Sequence, residues 1–416
     1  MKKFGFLIAV CMMLAALCLS AFAADRVINV YNWGEYISDG SEDSLDVNRA
    51  FEEYYKETFG ETVRVVYTTY ASNEDMYAKL KSGATGYDVI IPSDYMIARL
   101  IDEDMLEPLN FDNIPNYEYI TEDYRGLYYD IENRYSIPYC YGMVGVLYNS
   151  TVVAEEDVKD RSWDLMWNAK YAGKILQFNN SRDGFGTALY RAGADVNSTD
   201  PAVWEKALAD LKAQKPLLQG YVMDEIFNKM ESGEAAVSAY YAGDFLTMYD
   251  NNEDLGFYYP VNADGQIVTN LFVDAFCIPK GAKNKDLAEC YINFMLSEEP
   301  AIANAEFVCY ACPNALVLES EDYREDMGEY AMEVLYPEDF SFSENYNAMS
   351  YHNLNPETLK LVNDLWEDLK ISGDESGAGG ANYLSTALVA ALVIVAALAA
   401  WLIISKIQKS KREKMY

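Results

Sequence analysis

Five acidic residues stand beside aromatic ones at places where a chain presents chemistry. They are Glu35 in Tyr31-Asn32-Trp33-Gly34-Glu35-Tyr36, Asp94 in Ser93-Asp94-Tyr95, Asp183 after Asn179-Asn180-Ser181-Arg182, Asp244 after Tyr241-Ala242-Gly243, and Asp274 in the apolar run from Leu271 to Ile278. Carboxylates interleaved with Trp33, Tyr36, Tyr95, Tyr241 and Tyr310 suit a flexible apolar rod that carries two or more positive charges. Each charge-assisted hydrogen bond to such a ligand contributes roughly 1.5–3 kcal/mol and an ammonium over a ring roughly 0.5–2, so a few contacts give micromolar binding. Asp94 and Asp244 read more readily as helix N-caps, and a loop Trp or Tyr often serves as a hydrophobic anchor. Glu35 lies between two aromatics, where capping asks nothing of it. Asp274 is the sharpest case, because a lone carboxylate among Leu271, Phe272, Val273, Ala275, Phe276 and Ile278 is costly to bury without a cation.

These segments are placed by alternating strands and helices. Val27 to Tyr31 predicts a strand, Asp43 to Thr58 a helix ending at Gly60, and Val63 to Tyr67 a strand. Ser72 with Asp75 predicts a helix start, continued to Lys81 and closed by Gly83, before a strand from Tyr87 to Ile91. Strands joined through helices form parallel sheets, which gather ligands beyond the carboxyl ends of their strands. Strand one runs into Asn32 to Tyr36 and strand three into Ser93 to Tyr95. The pattern repeats with strands at Lys174 to Phe178, Ala235 to Tyr240 and Leu271 to Ile278, the last placing Phe272 and Asp274 on one side. Helices over Lys285 to Leu296 and Pro356 to Lys370 complete it.

The ends read differently. Lys2 and Lys3, an apolar run and Ala21-Phe22-Ala23 make residues 1–23 a secretory signal. Residues 372–383 read as a flexible tether, and 384–404 as a transmembrane helix. The basic tail 405–416 is then cytoplasmic, and the rest is anchored at the outer face of the plasma membrane. The portion between exceeds one hydrophobic core, so two lobes are expected. A formal charge of −34 repels nucleic acid and attracts cations, or simply keeps a secreted surface solvated. The only histidine is His352, which excludes a His-based triad and a multi-histidine metal site. Cys309-Tyr310-Ala311-Cys312 reads as buried thiols or one local disulfide.

From Tyr31 to Tyr36 onward the chain resembles the spermidine/putrescine-binding proteins of bacterial ABC importers. The likeness continues through Thr69 to Glu74, Tyr87 to Ser93, Tyr135 to Tyr139, Trp163 to Trp167, Tyr171 to Lys174, Val273 to Pro279 and Tyr310 with Pro313-Asn314. It implies a two-lobed periplasmic-binding-protein-like (type II) α/β fold with a cleft between the lobes. Lobe 1 takes residues 24–139 and 273–318, lobe 2 residues 140–272 and 319–371. It also implies a monomer that binds putrescine or spermidine without cofactor or metal, does no chemistry on it, and delivers it to permease subunits. Trp33, Glu35, Tyr36, Ser93, Tyr95, Asp183, Tyr241, Phe272, Asp274 and Tyr310 would surround the polyamine. Asn180 stands where spermidine binders tend to carry an aspartate, and Tyr241 and Phe272 where they often carry Trp, which shifts the expectation toward putrescine. The rival readings are a receptor of the same fold for an amino acid or sugar, and a hydrolase driven by a carboxylate pair such as Glu35 and Asp183.

Overall fold

Among the described residues, most of the nine strands and the helices between them start and stop at short-range signals that the backbone then satisfies. The computed structural model describes residues 26–371, apart from 84, 85, 339 and the side chain of 42. The expected signal, tether, membrane helix and tail lie outside the described residues.

β1 (Arg26–Trp33) pairs in parallel with β2 (Val63–Tyr70) on one side and β3 (Val89–Ile90) on the other. Helix α1 (Val47–Phe59) connects the first two. Its N-terminus is capped by the Asp46 side chain and its end by Gly60 in the left-handed conformation (φ 71°), which costs a glycine nothing. Ser72 caps α2 (Asn73–Lys81) by accepting from the Asp75 N–H, as the sequence predicts. Helix α3 (Asp94–Asp102) follows β3. β9 (Leu271–Cys277) closes this sheet, antiparallel to β3 and to the first half of β4 (Ser136–Asn149).

β4 then leaves the first sheet and enters a second. From Val144 to Asn149 it pairs with β7 (Val237–Tyr241) and β8 (Leu255–Tyr258), both antiparallel. β7 runs parallel to β5 (Ile175–Phe178), and β5 to β6 (Leu218–Val222). The order β2-β1-β3-β9-β4-β7-β5-β6 places β4 and β9 at the middle, and every residue of β9 is buried. Strands covered on both faces read as continuous apolar runs, which is why Leu271 to Ile278 lacks alternation. Helices α4 (Ser181–Arg191) and α5 (Ala242–Asn251) follow β5 and β7, and α6 (Glu298–Val308) lies further on.

The expected fold class needs one correction. Among the described residues no helix is long and apolar enough to cross a membrane, and the 384–404 run lies outside them. The longest described helix, α7 (Pro356–Ile371), has 16 residues and carries charge along its length, short of the roughly 20 apolar residues a span requires. The described residues therefore form a two-lobed α/β fold with no membrane-spanning helix among them.

Candidate functional site

The two sheets direct the carboxyl ends of their parallel strands at one cavity enclosing about 730 Å³, its open mouth included. From the first sheet come Trp33 and Tyr36 past β1, Asn73 and Glu74 past β2, Ser93, Asp94 and Tyr95 past β3, and Phe272 and Asp274 on β9. The second contributes Asn180 and Asp183 past β5, Asp224 past β6, and Tyr241 and Asp244 past β7. Tyr310 and Tyr351 complete the walls.

Nine of the ten residues singled out in the sequence line this cavity, and Glu35 does not. Its backbone is left-handed (φ 48°), so the chain reverses there, sending Tyr36 inward and leaving Glu35 exposed. The missed carboxylates are Glu74 and Asp224. Both follow the carboxyl end of a parallel strand, β2 and β6, so the crevice rule applied to every strand finds them. Asp94 and Asp244, read as caps, are lining residues: the caps are Ser93 and Tyr241, and neither aspartate caps its helix.

The aromatic walls are held by mutual contact. Trp33 donates its Nε1–H to the Ile91 carbonyl at 3.0 Å and packs on Tyr70. Tyr36 meets Tyr310 edge to face at 5.0 Å between centroids, and Tyr241 meets Phe272 at 5.4 Å. Tyr95 donates to Glu74 Oε1 at 3.0 Å while accepting from Asn73, which also donates to the Ser93 hydroxyl.

The carboxylates divide into satisfied and unsatisfied groups. Asp183 Oδ2 accepts from the Tyr241 hydroxyl (2.7 Å) and from Asn180 Nδ2 (2.8 Å). Asn180 Oδ1 also caps α4 by accepting the Asp183 N–H. Asp94 Oδ2 accepts from Tyr346 at 2.8 Å and its Oδ1 from the Tyr95 N–H at 2.7 Å. Asp274 differs. It is 4% exposed, its Oδ2 accepts from Tyr36 at 2.9 Å, and its buried Oδ1 has no hydrogen-bond partner. The Ser93 hydroxyl approaches this carboxylate without bonding to Oδ1.

Among the described residues no Lys or Arg lines the cavity, although Glu74, Asp94, Asp183, Asp224, Asp244 and Asp274 all do. Arg182 is turned away, donating to Asn197 Oδ1 and to the carbonyls of Val196 and His352, with its Cζ 4.5 Å from the Tyr351 ring centroid. Burial disfavours the charged carboxylates. It pushes Asp94 and Asp244 up to about 8 and Asp274 to about 7, and it raises Glu74, Asp183 and Asp224. Hydroxyls of Tyr346, Tyr310, Ser93 and Tyr36 oppose the shifts, and neighbouring carboxylates reinforce them. Asp94, Asp183 and Asp244 each sit in the first turn of a helix, where the N-terminal dipole favours negative charge.

A cleft between two α/β sheets that share a strand, walled by rings and unneutralised carboxylates, defines a two-lobed binding protein. The chain belongs to the bacterial extracellular solute-binding protein family, whose family model matches residues 49–329. It is 32% identical over 302 residues to the spermidine/putrescine-binding periplasmic protein of Escherichia coli, covering 72% of this chain and 81% of that one. The corresponding protein of Haemophilus influenzae is 31% identical over 281 residues, 67% of this chain and 73% of that one. A solved spermidine/putrescine ABC transporter substrate-binding protein from Streptococcus pneumoniae superposes with a TM-score of 0.64 at 32% identity, over 83% of this chain and 99% of that one. Solute-binding proteins of this kind are not enzymes.

Proposed function

We propose that this chain is the extracytoplasmic substrate-binding component of a polyamine ABC importer, taking putrescine or spermidine into the acidic aromatic cavity and presenting it to the permease. The observation that carries the reading is Asp274, whose buried Oδ1 is unpartnered in a cavity with six carboxylates and no lining cation. An ammonium group supplies what that site lacks, and the rings supply walls for the methylenes. An amino acid would bring its carboxylate into a cavity already lined by six, where no lining Lys or Arg among the described residues stands to meet it. Relatives named for spermidine and putrescine support the same reading. Trp33, Tyr36, Ser93, Tyr95, Asp183, Tyr241, Phe272, Asp274 and Tyr310 form the proposed contacts, with Glu35 at the periphery. The proposed lobes are 24–139 with 273–318, and 140–272 with 319–371. This division is supported by the passage of β4 from the first sheet into the second. Because Asn180 donates a hydrogen bond to Asp183 and adds no second negative charge beside it, putrescine is the preferred ligand in this reading.

Calorimetric titration with putrescine, spermidine, spermine and lysine tests it. One-to-one binding of a polyamine, weakened roughly tenfold to a hundredfold by Asp274→Asn, is the expected result, given about 1.5–3 kcal/mol for a charged hydrogen bond. No heat with any amine, or equal binding by the variant, would remove the basis of the proposal.

A further inference from the structure

The thiols of Cys309-Tyr310-Ala311-Cys312 do not face each other's surroundings. Cys309 ends α6 in the left-handed conformation (φ 55°), and its Sγ donates to the Glu306 carbonyl at 3.2 Å, on the side of Thr247 and Asp250. Cys312 points elsewhere: its Sγ lies 3.9 Å from the carbonyl oxygen of Tyr139, the residue before Cys140. The backbone explains this. Tyr141 and Ala311 form an antiparallel bridge, the Tyr141 N–H donating to the Ala311 carbonyl at 2.9 Å, so Cys140 and Cys312 occupy the next facing positions. Facing residues beside a hydrogen-bonded pair have Cα atoms about 4.5 Å apart, inside the roughly 4.4–6.8 Å that a disulfide accepts. Cys140 and Cys312 are 1% and 6% exposed, and Cys312 is close enough for its charge to raise Cys140.

We infer that Cys312 has Cys140 as its redox partner, and that the two form a cross-strand dithiol which a disulfide-class oxidant closes into Cys140–Cys312. The step is a thiol–disulfide exchange in two stages. A Cys140 or Cys312 thiolate displaces one thiol from the oxidant R–S–S–R, and the second thiolate then displaces the other. The two electrons and two protons leave with two R–SH, and one S–S bond replaces another. Relatives of this chain are periplasmic, in a compartment where disulfides persist. Burial pushes Cys312 up to about 12 and raises Cys140, so closure belongs to folding and local opening rather than to attack from solvent. The bond would sit directly behind the cavity: Cys140 stands opposite Asp274 on β9, and Tyr310 lies two residues before Cys312. Closing a loop of roughly 170 residues constrains the unfolded chain strongly.

The natural chain, exported to an oxidising compartment and then equilibrated with oxidised glutathione, is alkylated and digested with trypsin. Cys140 falls in the peptide 135–159, while Cys290, Cys309 and Cys312 share the peptide 286–324, so the Cys312→Ser variant decides which of the three is linked. The expected product is a link between these two peptides that persists in Cys309→Ser and disappears in Cys312→Ser. Reduction should lower the melting temperature by several degrees in the natural chain and leave Cys140→Ser unmoved. A link within 286–324, or full alkylation of Cys140 and Cys312 after equilibration, overturns the inference.

Discussion

Asp274 is a carboxylate held in an environment built for its neutral form, and the same holds for Asp94 and Asp244. Their folded values near 7 to 8 lie above the usual carboxylate range, so the folded chain binds protons more tightly than the unfolded one. The ligand-free protein should therefore be most stable near pH 4 and lose stability as pH rises toward 8. Scanning calorimetry across that window checks the sign; a flat or rising midpoint contradicts it. A cationic ligand selects the ionised forms, so its capture near neutral pH should release protons and its affinity should climb between pH 6 and 8. Titration in buffers of different ionisation enthalpy counts those protons, and the slope of observed heat against buffer enthalpy should be non-zero. The groups facing Asp274 from its neighbours are the hydroxyls of Ser93 and Tyr36 and the charge of Asp183, so the response belongs to the cluster rather than to one residue.

At the level of elements, the cavity depends on close approach between α5 and the Tyr310 segment. A side-chain carbon added at Gly243 would lie 2.2 Å from Tyr310 Cδ2 and 2.7 Å from the Cys309 carbonyl oxygen. Gly243→Ala should therefore displace the Tyr310 ring, costing about 1–3 kcal/mol of stability by overpacking and weakening ligand binding about tenfold or more. Denaturant melts and titration of the same variant separate the two effects. How much was legible follows the same logic. β1, α1, β2, α2 and β9 were readable within a few residues because their signals are local: capping by Asp46 and Ser72, Gly60 at a helix end, β-branched runs. The 14-residue β4 was not read as a strand, because its pairing with β9, β7 and β8 joins residues roughly 90 to 140 apart and leaves no periodic trace in a strand buried almost throughout. Asp94, Asp183 and Asp274 were findable from strand ends and from their cost in apolar company. The outward turn at Glu35 rests on one backbone angle that composition does not announce.

Over the whole molecule, the field of a chain with formal charge −34 adds to the local one of the cavity. That field should accelerate the approach of a dication, and screening should remove the gain, since the Debye length falls to about 8 Å at physiological ionic strength. Stopped-flow association measured from low salt to 0.3 M should slow by about tenfold or more, with a smaller change in dissociation; a salt-independent rate would leave the acidic surface a solubility device alone. The two sheets are joined through β4, and where it leaves β9 for the second sheet the Val144 N–H donates to the carbonyl of Asn270, the residue leading into β9, at 3.1 Å. Two antiparallel strands bonded side by side bend readily across their shared plane but resist twisting and sliding past each other. Such a joint acts as a leaf spring with one soft direction, so any opening of the lobes should follow a single path. One donor and acceptor dye pair spanning the cleft would then report the full range of motion, whatever the bound solute.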